Sequence, residues 1–217
     1  MNKALSFQKI LLAFCVFIGL LLFVRILFSG RLDYLFLVWN IFLAWIPFFI
    51  SGLFKSINNI SKWKQFFIFC CWLTFFPNAL YIITDLIHLE LKSAVPKWFD
   101  AILLFSSSIL GLMMAFISLY RVEKYLYKLF RKRIVTGLII MILFLGSFGV
   151  YLGRFLRWNS WDIISNPFRL ILSIGYRIFF PFDHLQTWGI TGILTVLFYL
   201  LYFSIKKLPG YLSQANI

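Results

Sequence analysis

Polar side chains recur at helical spacing in an otherwise apolar stretch of the chain. They are Thr74, Asn78, Tyr81, Asp85 and His88, separated by four, three, four and three residues. Because side chains three and four positions apart are neighbours on an α-helix, this spacing predicts one polar face on one helix, turned toward the protein interior. A carboxylate and an imidazole one turn apart suit proton transfer, metal ligation or headgroup binding.

Asp85 and His88 are therefore the candidate catalytic residues, and we assign no metal site to them. Ionisable residues on an inward-facing stripe near a membrane interface usually have a function. An interface salt bridge is the alternative interpretation of the same pair. Asn78, Tyr81 and Thr84 on the same segment are candidate binding residues.

Pro77 lies within this stripe. Proline cannot donate its amide and clashes with the carbonyl one turn earlier, so it predicts a kink between Leu73 and Pro77. Thr74 and Asn78 flank the kink. They either solvate it and bond to neighbouring helices or belong to the polar face that carries function.

A second group of polar and aromatic residues follows Gly153. The candidate binding residues here are Arg154, Arg157, Trp158, Asn159 and Asp162. In one interpretation the two arginines hold an anion, because guanidinium groups bind phosphate or carboxylate bidentately, and Asn159 and Asp162 order the loop. In the alternative interpretation the segment is an aromatic and basic anchor at the membrane interface. Our sharper hypothesis brings this group and the Asp85–His88 pair into one pocket at the outer membrane boundary.

The composition indicates an integral membrane protein: 62% of the 217 residues are hydrophobic and only 13% are charged. Runs of about twenty apolar residues match the hydrocarbon core of a bilayer, and they lack the alternating pattern of barrel strands. We predict an all-α polytopic bundle of about six transmembrane helices, forming one domain over residues 1–217. The predicted spans are Gln8–Phe28, Leu32–Phe54, Gln65–Thr84, Trp98–Tyr120, Ile134–Leu152 and Trp188–Ile205.

Positive charges predict the orientation. With the N-terminus inside, thirteen of the 21 lysines and arginines fall on the inner side, six of them between Arg121 and Arg133. This bias favours both termini in the cytoplasm. The acidic residues divide the other way, since only Glu123 falls inside. The acidic residues assigned to the outer side are Asp33, Asp85, Glu90, Asp100, Asp162 and Asp183.

The net charge of +14 does not indicate a nucleic-acid-binding protein, because the basic residues are topogenic and no recognition motif accompanies them. Membrane lipids are the expected partners, and no protein partner is indicated. The three cysteines all fall in predicted spans, without disulfide or zinc spacing. No phosphate-binding loop or nucleophile motif occurs, so the sequence identifies no cofactor.

A short amphipathic helix is predicted before the last span. Asn166 and Pro167 resemble an N-cap and a first helical residue. The segment from Pro167 to Phe180, about fourteen residues or roughly 21 Å, is too short to span a membrane, which favours a position in the outer interface. A re-entrant or spanning helix is the alternative, and a spanning helix would move the C-terminus outside.

Three stretches of the sequence resemble a bacterial family of multi-pass membrane proteins, domain of unknown function number 1361. They are Phe76–Leu89, Trp98–Asp100 and Gly153–Asp162, and Leu80 stands where the family has a second proline. Asp100, in the second stretch, is a further candidate binding residue. The resemblance implies a bacterial cytoplasmic membrane and supplies no activity.

Three classes of function fit these features. The first is an enzyme or binding protein for a lipid or lipid-linked anionic headgroup at the outer face. In it Asp85 and His88 act as base or metal ligands, and Arg154 and Arg157 hold the anionic group. The second is a transporter or channel subunit with the stripe lining a polar path. The third is a structural or assembly protein without catalytic activity. A conduit needs polar groups through its whole depth, and the other spans offer only Asn40 and a few hydroxyls, so a one-sided site is favoured.

Overall fold

The computed structural model describes residues 3–56, 60–89 and 95–215. Within those residues all regular secondary structure is helical, which confirms the all-α prediction. Two short 3₁₀ helices, Ile82–His88 and Pro181–His184, accompany the α-helices. The α-helices are α1 (Lys3–Ser29), α2 (Phe36–Leu53), α3 (Lys62–Tyr81), α4 (Lys97–Leu129), α5 (Lys132–Leu156), α6 (Asp162–Ser165), α7 (Pro167–Phe179) and α8 (Leu185–Ala215).

Six helical segments of the described chain are long and apolar enough to cross a membrane, as predicted. They extend beyond several of the predicted spans, because hydropathy marks only the part that matches the hydrocarbon core. Large apolar side chains such as Phe23, Phe67 and Ile193 are exposed on them, as expected of helices that face lipid. The six segments are Phe7–Ser29, Phe36–Leu53, Lys62–His88, Lys97–Leu129, Lys132–Leu156 and Pro181–Gln214.

The chain forms two compact units, the first ending at Ser118 and the second beginning at Leu119, inside α4. The assignment of one domain to the whole chain stays a prediction. Glu90 and Lys92, which the charge count places on the outer side, lie outside the described residues.

A glycine ends α1 and starts the turn into α2. Gly30 has a φ of 64°, and its N–H donates to the carbonyl of Ile26 at 2.8 Å. This left-handed conformation satisfies one of the last carbonyls of the helix, and a side chain there would strain the backbone. The chain can therefore reverse over a few residues and begin α2 at Phe36.

The polar stripe lies on α3 and on the 3₁₀ helix that follows it. The α-helix continues past Pro77 to Tyr81 and then tightens to three residues per turn, so Asp85 and His88 still share one side. Asp85 is fully buried, and Thr74, Asn78 and Tyr81 are partly buried. The prediction of an inward face is therefore confirmed for Asp85. It is wrong for His88, which is exposed at the last turn of the 3₁₀ helix.

In the first unit α4 packs closely on the end of the third span. Ser107 and Ala115 are completely buried, with Gly111 between them. A Cβ on Gly111 would lie 2.9 Å from the carbonyl oxygen of Ala79 and 2.9 Å from Cδ1 of Ile82. Small residues four apart thus let two helix backbones approach, as their spacing indicates.

In the second unit α5 packs along α8. The Trp188 ring stacks on Phe144 and Phe148, with centroid distances of 6.3 and 5.7 Å. Glu123, only 1% exposed, accepts hydrogen bonds from the Tyr202 hydroxyl at 2.7 Å and Lys206 Nζ at 2.6 Å. Glu123, which the charge count places on the inner side, thus forms an ion pair with Lys206.

The predicted amphipathic helix is present as α7, with Pro167 at its start. Asn166 occupies the N-cap position, but its side chain makes no capping hydrogen bond and instead donates to Ser165 Oγ at 3.5 Å. Placement of α7 in the outer interface stays a prediction.

Substitution of Gly111 tests the close packing of α4. We expect Gly111→Ala to lower the free energy of unfolding by about 1 to 3 kcal/mol, because the added methyl group must displace backbone or a branched side chain. Gly19→Ala is the matched control, since its Cβ meets nothing within 4 Å and alanine favours a helix. Thermal unfolding in detergent measures both. Equal melting temperatures for the two variants would contradict the close approach.

Candidate functional site

Four segments of the first unit bring polar side chains to the same end of their helices. Arg25 lies in the last part of α1, and Tyr34 just precedes α2. Asp85 lies on the 3₁₀ helix that ends the third span, and Asp100 lies in the first turn of α4. Because successive antiparallel spans end and begin on the same side, these residues meet at one end of the unit.

A buried ion pair joins α1 to α4. Arg25 Nε donates to Asp100 Oδ1 at 2.8 Å, and Nη2 lies 3.4 Å from Oδ2. The side chains are only 3% and 0% exposed, so neither charge is solvated. The guanidinium carbon also lies 3.9 Å from the centroid of the Tyr34 ring, which adds a cation–π contact.

The remaining amino group of this arginine has no acceptor. Arg25 Nη1 is buried and makes no hydrogen bond, although the other two nitrogens of the guanidinium group are bonded to Asp100. A buried donor without a partner is rare in proteins and costs free energy, so it calls for an acceptor such as a ligand oxygen or a water molecule.

Asp85 is held by the start of α2. Asn40 Nδ2 donates to Asp85 Oδ2 at 2.8 Å, which joins α2 to the end of the third span. The next turn is held in the same way, because the Tyr34 hydroxyl donates to the carbonyl of His88 at 2.9 Å. The His88 ring packs on Phe36, with a centroid distance of 4.9 Å. A direct Asp85–His88 pair stays a prediction.

The other residues of the stripe take part in different ways. The Thr84 hydroxyl donates to the Tyr81 carbonyl at 2.6 Å, so it satisfies the helix end rather than offering its hydrogen to a ligand. The Ser108 hydroxyl of α4 reaches the carbonyl of Ile82 at 3.2 Å. Asn78 and Tyr81 are partly buried on the turns before Asp85.

Sequence reasoning missed Arg25 as a member of the site. It was counted only as an outer charge, although it is the one charged residue between Ile10 and Phe28. An arginine inside an apolar span is the signal that could have found it, because such a residue must pair with another polar group. Its partner, Asp100, was a predicted binding residue. Asn40 was also noticed only as an isolated polar residue.

The second predicted group lies in the second unit and is built around a helix end. Arg157 has a φ of 58° and ends α5, a backbone conformation that glycine usually adopts. Asp162 orders the following loop by accepting from the N–H of Asn159 at 2.6 Å and from Ser165 Oγ at 3.2 Å. Trp158 Nε1 donates to Ser173 Oγ of α7 at 3.3 Å.

Arg154 lies in the last turn of α5 and is partly buried, while Arg157 is exposed. The proposed meeting of these arginines with Asp85 stays a prediction. Within the described residues no three histidines, cysteines, aspartates or glutamates come together as a metal site would require.

Comparison with known families identifies the chain. The profile of a family described as "Protein of unknown function (DUF1361)" matches residues 39–201, which is most of the sequence, so the chain belongs to that family. The match covers Asn40, Asp85 and Asp100 as well as the Arg154 group, and Arg25 precedes it. No curated protein and no solved structure matches significantly.

Neutralising Asp100 tests whether the buried ion pair is essential. We expect Asp100→Asn to lower the free energy of unfolding by about 3 to 5 kcal/mol, because it leaves the charge of Arg25 buried without a counter-ion. Asp33→Asn is the control. Asp33 pairs with Arg31 at 3.8 Å, but those side chains are 56% and 60% exposed, so the loss should stay below about 1 kcal/mol. Equal losses of unfolding free energy in Asp100→Asn and Asp33→Asn, measured by thermal unfolding, would contradict a buried pair.

Proposed function

We propose that this DUF1361 family member binds a lipid or lipid-linked anionic headgroup at the end of its first unit, as a binding protein or as an enzyme. The observation that carries the proposal is the buried, unpartnered Nη1 of Arg25 beside its ion pair with Asp100. An oxygen of a phosphate or similar group would supply the missing acceptor, and charge-assisted bonds of this kind are strong.

The charges around Arg25 restrict the headgroup. Asp100 neutralises Arg25, and Asp85 adds a second carboxylate that is held by Asn40. An isolated anion would be repelled by Asp85. A headgroup that carries an anionic oxygen next to a hydroxyl or ammonium group fits better, because its donor can face Asp85. If the bound group reacts, Asp85 and His88 are the residues that would exchange a proton with it.

The deeper polar groups of the first unit do not favour a conduit. The hydroxyls of Ser51, Ser107 and Ser118 donate to the carbonyls of Phe48, Leu103 and Ala115 in their own helices. They are therefore occupied by backbone within the described residues and do not offer a chain of groups across the membrane. This supports a site at one end over a transport path.

We place this end of the unit outside the cytoplasm. With the termini inside, thirteen of the 21 lysines and arginines fall on the cytoplasmic side and eight on the outer side. Reporter fusions at Lys207 and Asn159 test the orientation. Activity of a cytoplasmic reporter at Lys207 and of an extracytoplasmic reporter at Asn159 is expected, and the reverse pattern would move the site to the cytoplasmic side.

A structural or assembly role is the second candidate. The Arg25–Asp100 and Asn40–Asp85 contacts join helices that are far apart in sequence, and such contacts hold membrane helices together without any ligand. In that case the ion pair is needed for the fold alone. Arg25→Lys separates the two roles, because lysine keeps the charge for Asp100 but removes the planar fork and its second amino group.

Lipid retention by the purified full chain tests the proposal. Native mass spectrometry after extraction into a mild detergent is expected to find a phosphate-bearing lipid bound to the wild type. Arg25→Lys should reduce the bound fraction about tenfold while the protein stays folded, because one charge-assisted hydrogen bond is lost. Arg31→Lys, at an exposed position near the same end, is the control and should retain the lipid.

The double variant Arg25→Gln/Asp100→Asn serves as a second arm, since it leaves no buried charge unpaired. Loss of lipid from this folded double variant supports the binding function. An unchanged number of bound lipid molecules in both Arg25 variants would overturn the proposal and leave the ion pair with the structural role.

A further inference from the structure

Buried polar atoms without hydrogen-bond partners are concentrated in one part of the second unit. Of the seven such side-chain atoms in the described residues, five fall between positions 177 and 191. They are Arg177 Nε, His184 Nε2, Thr187 Oγ1, Trp188 Nε1 and Thr191 Oγ1. Since most buried polar groups in proteins are bonded, this concentration indicates that something is missing at the junction of α7 and α8.

Four of these residues share one face at the start of α8. His184 ends the 3₁₀ turn that precedes the helix, and Thr187, Trp188 and Thr191 follow at spacings of three, one and three. Such spacing aligns side chains over two turns. Thr187 and Thr191 are 1% and 0% exposed, so bulk solvent does not satisfy their hydroxyls.

The two hydroxyls differ from that of Thr195, one turn further along α8. Thr195 Oγ1 donates to the carbonyl of Thr191 at 2.6 Å, which is how a threonine in an apolar helix usually satisfies its hydrogen. Thr187 and Thr191 make no such bond. Their hydroxyls are therefore available to a bound group.

The neighbouring side chains are held in place. Arg177 Nη1 donates to the carbonyl and the hydroxyl of Ser173 at 2.6 and 2.8 Å, which fixes the guanidinium group and leaves Nε without an acceptor. Tyr176 contacts the His184 ring at a centroid distance of 5.2 Å. The Trp188 ring is stacked against two phenylalanines of α5, so the position of its N–H is also fixed.

These groups are mainly donors. Arg Nε and Trp Nε1 can only donate, and hydroxyls and a histidine nitrogen can donate as well. Arginines at positions 154, 157, 169 and 177 outnumber Asp162 and Asp183 in this part of the chain, and Asp162 is already engaged by its loop. A ligand with several anionic oxygens fits such a set.

We infer that the junction of α7 and α8 is a binding site for a phosphate group, held by Arg177, His184, Thr187 and Trp188. Thr191 lies one turn deeper, about 6 Å along the helix axis, where it would meet an ester oxygen of a phospholipid rather than the phosphate itself. The exposed apolar residues Phe168, Ile171 and Leu172 on α7 are suited to an acyl chain beside the site. This inference does not depend on the function proposed for the first unit.

Three probes distinguish the source of the phosphate group. The full chain, in a detergent without phosphorus, is titrated with inorganic phosphate, with phosphatidic acid and with a diacylglycerol of the same acyl chains, and binding is followed by thermal shift. We expect phosphatidic acid to bind more tightly than the diacylglycerol, which lacks only the phosphate. Binding of inorganic phosphate as well would show that the phosphate group suffices, whereas phosphatidic acid alone would identify a lipid headgroup.

Single threonine variants locate the site. Thr187→Val is expected to lower the affinity for every phosphate-bearing probe about tenfold, because a hydrogen bond to an anion is lost while the side-chain shape is kept. Thr191→Val should lower the affinity for phosphatidic acid and leave the affinity for inorganic phosphate unchanged. Thr195→Val is the matched control and should change neither, since its hydroxyl is bonded to the helix.

Two results would overturn the inference. The first is equal affinity for phosphatidic acid and the diacylglycerol together with no response to inorganic phosphate. The second is a Thr187→Val variant that binds every probe as Thr195→Val does. Phosphatidic acid can also bind beside Arg25, so the titrations and the threonine variants are repeated in the Arg25→Lys background. A loss caused there by Thr187→Val reports on the junction of α7 and α8 alone, so failure at this site is distinguishable from failure of the proposed function.

Discussion

The pairing of Arg25 with Asp100 is the interaction on which the first unit depends. A charge in a membrane interior is costly unless it meets an opposite charge, and these two side chains are almost completely buried. The pair therefore fixes α1 against the start of α4, across 75 residues of sequence. The left-handed Gly30 allows the chain to return so that Tyr34 covers the guanidinium group and also bonds to the carbonyl of His88. The same residue thus links the ion pair to the end of the third span, where Asp85 is held by Asn40.

An arrangement made only to hold helices together would be expected to satisfy its own polar atoms, because an unpaired donor is most costly where water is scarce. In the first unit Arg25 Nη1 departs from this expectation, and in the second unit the groups near the start of α8 do so. In both cases neighbouring side chains hold the donors in fixed positions. Preorganised donors without acceptors are suited to a ligand that brings its own oxygens, since little ordering is required when it binds.

Local patterns in the sequence predicted the helices well. The six spans follow from runs of apolar residues. The short helix α7 follows from Pro167 and from polar residues three and four positions apart after it. The burial of Asp85 follows from the spacing of the stripe, but the exposure of His88 does not, because the helix tightens and ends there. Sequence patterns did not predict the contacts between residues that are far apart in the chain. Arg25 and Glu123 were each assigned to a loop or an interface by charge, whereas both are buried in ion pairs with residues at least 75 positions away.

A structure of the protein in a lipid nanodisc, at a resolution that shows headgroups, tests most directly whether Arg25 binds a headgroup. Density is expected for a headgroup oxygen within hydrogen-bonding distance of Arg25 Nη1, continuous with an acyl chain, while Nε and Nη2 remain on Asp100. A structure in which Nη1 instead donates to a backbone carbonyl of the protein, with no headgroup beside the ion pair, would contradict the claim and leave Arg25 and Asp100 as a helix-joining pair alone.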